Sequence, residues 1–351
     1  MEETILKIIE AAIRAPSGEN CQPWLIKLSE NKLNLYNDPS KDTSVYNYGQ
    51  KGSMVAQGAF IENLAIASKA LGLSAQLNMF PDPSNEDLIA TVGFSQSSAV
   101  DDPLYGAIFN RSSNRKSYKK IKFTEEQRAS ILISGIETGS KVILLEDPLK
   151  IKDLSKPISL NEQLIFENQF LHDFFYAHIH WTQEEDEKYK FGFYIKTLEL
   201  NLPQSIAIKL LRSWKWTNLL DKIGISKQIA KDNAKNYETA SALGIIVIPT
   251  NSRNDYVVAG RAMERVWLKV TSMGLSLQPM TGILFFMQKI LSGKHEEFST
   301  EQVQLIKEGY QKISSGFDVT NQTIAMLFRI GDGGEPSAKS LRYTIPEIMQ
   351  K

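Results

Sequence analysis

Cysteine is almost absent from this chain. Cys21 stands alone, which excludes an intrachain disulfide and leaves a cysteine-built metal site without ligands. Histidine is scarce as well: His172, His178, His180 and His295 are the full set. His178 and His180, two residues apart, would face different sides of a helix, so a zinc pair is not expected there. Neither sign of charge prevails, with 40 Lys plus Arg against 40 Asp plus Glu. That balance gives no electrostatic footprint for nucleic acid or for a membrane. No apolar run reaches membrane-spanning length, and the most hydrophobic stretch, residues 243–249, suits a buried strand. The opening MEETILKIIEAAIRAP has acids early and then helical periodicity, unlike a signal peptide. Together these absences imply a soluble cytoplasmic protein.

What is present begins with an internal likeness. Residues 55–76 read VAQGAFIENLAIASKALGLSAQ and residues 257–278 read VVAGRAMERVWLKVTSMGLSLQ. At a constant offset of 202, Val55/Val257, Gly58/Gly260, Glu62/Glu264, Gly72/Gly274, Leu73/Leu275, Ser74/Ser276 and Gln76/Gln278 coincide. Seven identities in 22 ungapped positions is about five times the chance level for ordinary composition. Each copy reads as an apolar helix closed by a left-handed glycine and followed by an extended segment. Strand-like runs flank both copies: 32–42 and 244–255 upstream, 87–94 and 325–332 downstream. The repeated order of helix, strand, helix, strand argues for α+β or α/β layering with two related halves. Residues 160–235 have no counterpart in the first half. They predict a helical insert, and Phe191, Phe193, Tyr194, Trp214 and Trp216 within it are candidates for an apolar lid. Its EEDE run, 184–187, reads as a solvated helix face.

Three short stretches place polar, small and aromatic groups where core packing would not. RAPSGENCQPW (14–24) is a helix-to-strand turn whose Ser17, Asn20 and Gln22 offer donors and acceptors for a planar heteroaromatic ring. The same residues could equally be a well-capped turn. NRSSNRKSY (110–118) sets two arginines among serines, a match for a phosphate monoester or for a solvated basic turn. GDGGEPSAKSLR (331–342) nearly spells a nucleotide-binding P-loop, but Pro346 follows closely and no crossover helix is expected after it. What survives is a segment whose Lys339 and Arg342 can reach a phosphate. No serine–histidine–acid arrangement or framed carboxylate pair is apparent, so no catalytic residue is assigned. A cofactor is expected to carry the chemistry.

Taken together, the three stretches resemble the nitroreductase superfamily, whose members bind FMN between two subunits. Pro16-Ser17-Gly18-Glu19-Asn20-Cys21-Gln22-Pro23-Trp24 resembles the family's PSxxNxQPW stretch, which touches the ring and ribityl chain. Arg111-Ser112-Ser113-Asn114-Arg115 resembles its RRSxR phosphate stretch, with Ser112 in place of the second arginine. SLQPMTG (276–282) stands where the family has the loop facing flavin N5, implying Pro279, Thr281 and Gly282. Arg342 falls at the family's late phosphate-binding arginine.

The resemblance therefore implies FMN held by Pro16, Ser17, Gly18, Asn20, Gln22, Arg111, Ser112, Ser113, Arg115, Pro279, Thr281, Gly282 and Arg342. NADH or NADPH is the expected electron donor, and a nitroaromatic, quinone or similar small molecule the expected acceptor. PSGENCQPW occurs only in the first half and RSSNR only in the second, while GIETGSKVILLED (135–147) stands where a second PSGxNxQPW would follow. The parts suffice for one site, as in a single-chain pseudo-dimer, although a homo-oligomer stays open. The long, internally duplicated Acg-type branch is similar, and there an insert can cover the flavin. Flavin sequestration with little turnover is the alternative that this implies.

Overall fold

The computed structural model describes residues 1–350. The first half runs α1 (Glu2–Ala12), β1 (Trp24–Ser29), β2 (Lys32–Asn37), α2 (Lys51–Ala70), β3 (Leu73–Met79) and β4 (Leu88–Gln96). A short α3 (Pro103–Asn110) leads into α4 (Glu125–Ile136) and β5 (Lys141–Leu145). Thr124 caps α4 in a reciprocal pair with Gln127, satisfying two otherwise unpaired amides. Then come α5 (Pro148–Ile158), α6 (Leu160–Glu167), α7 (Gln169–Ala177), β6 (Ile179–His180), α8 (Gln183–Tyr189), β7 (Phe193–Tyr194), α9 (Leu202–Leu210), α10 (Trp214–Asp221) and α11 (Ile225–Tyr237). The chain resumes with β8 (Ala242–Ile248), α12 (Arg253–Ser272), β9 (Ser276–Pro279), α13 (Gly282–Leu291), α14 (Thr300–Gly316), β10 (Thr323–Gly331) and α15 (Ile345–Ile348).

The two principal sheets have the same plan. One is ordered β1-β2-β4-β3 and the other β5-β8-β10-β9, and all their pairings are antiparallel. Taking β1 with β5, β2 with β8, β3 with β9 and β4 with β10 superposes the two orders. The fold is thus α+β with two like halves. The second half is enlarged by the helices between β5 and β8 and again by α13 and α14, a pair the sequence pattern did not anticipate.

The halves meet along α2 and α12. A Cβ on Gly58 would lie 2.0 Å from the carbonyl oxygen of Val257, and one on Gly260 would lie 2.0 Å from that of Val55. Under the 202-residue offset these two contacts exchange, so the repeated glycines are the crossing point of a pseudo-two-fold axis. Only hydrogen in place of a side chain lets the backbones approach this closely.

Burial explains why β8 is apolar throughout. Ala242, Ile246 and Ile248 face the core shared with α2 and α12. Leu243, Ile245 and Val247 face a second core built from the insert, α13 and α14. A strand covered on both faces needs no polar alternation. Among the described residues no helix is long and apolar enough to cross a membrane.

Candidate functional site

The helix-to-strand turn after α1 departs from ordinary backbone. Glu19, Asn20 and Gln22 all have positive φ, at 44°, 55° and 53°. Each such residue costs on the order of 1–3 kcal/mol, and such strain persists only where surrounding bonds over-determine it. Those bonds are present. Ser17 Oγ accepts from the Gln22 amide at 2.9 Å. Asn20 Nδ2 donates to the carbonyls of Lys190 and Leu341 at 2.9 and 3.0 Å. Gln22 Nε2 donates to Lys190 O at 2.7 Å, and its Oε1 accepts from the Tyr343 amide at 2.8 Å.

This turn, the 111–115 loop and the 338–342 segment converge on a recess of about 70 Å³. Pro16, Ser17, Asn20, Arg111, Ser112, Ser113, Arg115 and Arg342 all line it. Its charge is lopsided. Arg342 Nε donates to Ala15 O at 3.1 Å and its Nη1 to Asn20 Oδ1 at 2.7 Å. Arg115 Nη1 donates to Thr197 O at 3.0 Å, with its guanidinium 5.4 Å from the Phe193 ring centre. Arg111 lies over Trp267, donates to Arg14 O and pairs with the fully buried Glu264 at 3.1 Å. Three guanidiniums thus share one close carboxylate.

Burial lowers the proton affinity of all three arginines, and Arg342, with Arg111 beside it, falls to about 9. A doubly charged anion in the recess would remove that penalty. Arginine forks beside serine hydroxyls are a donor set that suits a phosphate monoester.

The recess adjoins a cavity of about 760 Å³, and Pro16, Ser17, Ser113, Arg115 and Phe193 line both. That volume lies within the usual range for cofactor and small-molecule sites. Gly18, Pro279, Thr281 and Gly282 line the larger space. Its floor includes Val55, Ala56 and Gly260 at the helix crossing, and its roof is the insert, through Phe166, Phe174, Phe175, Ile208 and Ile229 among others. Gly282 opens α13 against α6, where a Cβ would lie 2.1 Å from Asn161 Oδ1. Of the residues expected in the site, Gln22 alone lines neither space; it is buried beneath the turn and holds it in place.

The insert is fastened to the turn. The Gly192 amide donates to Glu19 O at 2.7 Å, and Lys190 O is held by both Asn20 and Gln22. The expected lid aromatics need correction: only Phe193 lines the cavity. Phe191 packs with His178, His180 and Tyr189, Trp214 packs on His172, and Trp216 is about half exposed. The EEDE run is not wholly solvated either, because Asp186 is buried 3.4 Å from His180.

Two acids on the cavity wall were not foreseen. Glu162 of α6 accepts from Tyr237 Oη at 3.0 Å and from Asn161 Nδ2 at 3.2 Å, while its Oε2 is buried without a partner. Burial pushes its carboxyl up to about 7, against the pull of those hydrogen bonds. Glu19 is pushed up to about 8 by burial and by the nearby Asp42. Ile165 and Phe166, three and four residues on and so on the same helix face, were the one sequence hint that Glu162 faces inward.

Comparison with known proteins bears on this arrangement. No family model matches the chain. It is 23% identical over 350 residues to an uncharacterized protein of Mycobacterium tuberculosis, MT1398, covering 97% of this chain and 48% of that protein. Over 118 residues it is 29% identical to "Putative NAD(P)H nitroreductase MT3217" of the same organism, covering 33% of this chain and 34% of the relative. Over 98 residues it is 26% identical to "Putative NAD(P)H nitroreductase acg", covering 28% of this chain and 30% of the relative. These two functionally named relatives are putative nitroreductases, each matched over about a third of this chain.

The match accords with the resemblance carried by the sequence motifs. This chain spans about half the length of MT1398 and about a third of the two nitroreductase-named relatives. Similar solved structures include a BluB-like flavoprotein from Clostridium difficile, 13% identical with a TM-score of 0.40 over 71% of this chain and 98% of that one. Another is the FMN-dependent nitroreductase NfnB of Mycobacterium smegmatis in complex with NADPH, 10% identical with a TM-score of 0.39 over 71% and 97%.

Proposed function

We propose that this nitroreductase-like chain binds one FMN and works as an oxidoreductase, taking electrons from NADH or NADPH and passing them to a small acceptor such as a nitroaromatic or quinone. The observation that carries the reading is convergence: a cationic recess with serine hydroxyls opens beside a cavity floored by the crossing of two like halves. Arg111, Ser112, Ser113, Arg115 and Arg342 would hold the phosphate. Pro16, Ser17, Gly18 and Asn20 would border the ribityl chain and ring, with Gln22 fixing their turn, and Pro279, Thr281 and Gly282 would face the ring edge. Bound FMN supplies the redox chemistry. The protein's part is to orient it, to exclude water with the insert and to hold a proton on Glu162 or Glu19 near neutral pH.

We further propose residues 1–100 and 101–351 as the two halves, derived by duplication. The equivalent of Glu264 in the first half is Glu62, which is closed off by Arg261 and Arg265 at 3.0 and 2.7 Å. That closed ion cluster supports a single site for each chain.

A second reading is flavin sequestration, favoured by the hydrogen bonds that fasten the insert to the turn. Anaerobic mixing of the flavin-loaded protein with NADH or NADPH separates the two. Rapid bleaching of flavin absorbance, reversed by a quinone, is expected for the oxidoreductase. Bound flavin that neither donor bleaches would overturn turnover in favour of sequestration.

A further inference from the structure

The neutrality of the whole chain hides a local imbalance. Residues 202–231 carry six basic side chains, Lys209, Arg212, Lys215, Lys222, Lys227 and Lys231, against one acid, Asp221. The same stretch holds six of the sixteen large apolar side chains that stand exposed among the described residues. On α9 these are Leu202, Ile206 and Leu210, spaced to share one face; on α10 and the turn after it they are Trp216, Leu219 and Ile223, again on one face. Leu202, Ile206 and Ile223 are 76%, 63% and 82% exposed.

The core does not need these side chains. α9 is anchored from its other side, where Ile208 is buried and Gln204, Ala207 and Ile208 line the cavity. Tyr176 Oη fixes this side by donating to Ile208 O at 2.8 Å.

We propose that the α9–α10 face docks on the surface of an anionic lipid bilayer. Its apolar side chains would enter the acyl boundary, and its lysines would meet the headgroups. Protruding Leu, Ile and Trp ringed by Lys and Arg are the composition of an interfacial segment. Each basic side chain adds attraction to an anionic leaflet. The other occupants fit less well. Two copies joined through this face would bring together segments that each carry Lys209, Arg212, Lys215 and Lys222 against the single acid Asp221. Lysine is depleted from the cores of protein–protein interfaces, whereas here it is interleaved with the apolar residues. A docked molecule would turn the outer side of one cavity wall toward the lipid.

Flotation of the full chain with vesicles tests this, and it reads lipid binding alone, so it is independent of the flavin reading. Vesicles of phosphatidylcholine and phosphatidylglycerol in equal parts should bind the protein, with a shift in Trp216 emission, and phosphatidylcholine alone should not. Raised salt should weaken the binding. Lys215→Gln with Lys222→Gln should weaken it about twenty-five-fold, at roughly five-fold per charge. Ile206→Ser with Ile223→Ser, both at exposed positions, should abolish it while leaving the thermal midpoint unchanged. Failure to bind the anionic vesicles, equal binding to the neutral ones, or indifference to both double variants would overturn the proposal. A dimer that Ile206→Ser with Ile223→Ser dissolves, in protein that ignores vesicles, would assign the face to a second copy and overturn it equally.

Discussion

The most demanding consequence of the two-half architecture falls on one hydrogen atom. Gly260→Ala puts a methyl carbon 2.0 Å from the Val55 carbonyl oxygen and 2.7 Å from its carbon. Ordinary contact begins at about 3.4 Å, so the overlap exceeds an ångström. The obstructing atoms are helix backbone, which cannot rotate away as a side chain would. Overpacking of well-packed cores costs about 1–3 kcal/mol, occasionally more, and a clash of backbone on backbone belongs at or above the upper end. α2 and α12 must part, and Val55 and Gly260 also line the cavity, so ligand affinity should fall with stability. Gly58→Ala should cost about as much, because it meets Val257 O at the same 2.0 Å. Gly93→Ala in β4 is the control: nothing lies within 4 Å of its Cβ, so its effect should stay within about 1 kcal/mol. Guanidinium unfolding followed by tryptophan fluorescence reads all three. If Gly260→Ala proves as stable as Gly93→Ala, the close helix crossing is wrong.

Two other outcomes follow from the site. Arg342→Ala should weaken FMN binding about ten-fold or more while leaving riboflavin nearly unaffected, since a charged hydrogen bond is worth about 1.5–3 kcal/mol. Calorimetric losses equal for both flavins would mean that Arg342 does not hold a phosphate. Arg111→Ala is a poorer probe, because it strands buried Glu264 and should cost about 3–5 kcal/mol of stability by itself.

For Glu162 the folded value near 7 lies above the ordinary 4.5. The folded state therefore binds the proton more tightly, and stability falls as pH rises from about 4.5 to about 7. The loss amounts to about 3 kcal/mol. Glu162→Gln should remove that slope, leaving the variant more stable than the parent at alkaline pH and no better at acid pH. Thermal melts with the same pH profile in both proteins would place Glu162 in solvent instead.

How much of this could be read from residue order varies from place to place. The repeat at Val55 and Gly58 was legible because a close helix crossing constrains the same positions in both halves. The strand-like apolar runs and turn residues of β2, β4, β8 and β10 located strands of both sheets. PSGENCQPW stood out because Ser17, Asn20 and Gln22 gather polar groups where core packing would not, and the backbone there takes positive φ at Glu19, Asn20 and Gln22. Less could be foreseen where function depends on what the chain meets far away. Gln22 grips Lys190 O, 168 residues distant, so its role as a support and not a lining residue had no local sign. α13 and α14 separate β9 from β10, whereas the first half has only a short turn at the equivalent place. The roof of the cavity drew on Phe166, Phe174 and Phe175 while Trp214 and Trp216 went elsewhere, a choice made by helix packing that aromatic content cannot reveal.

Flavin content is the measurement closest to the central claim. Protein of known concentration is saturated with FMN, freed of excess by gel filtration and denatured by heat, and the released flavin is counted. One cationic recess in which all three motif stretches meet predicts one FMN per chain, with less retained by Arg342→Ala. Two per chain, or none retained by the unaltered protein, would contradict the account.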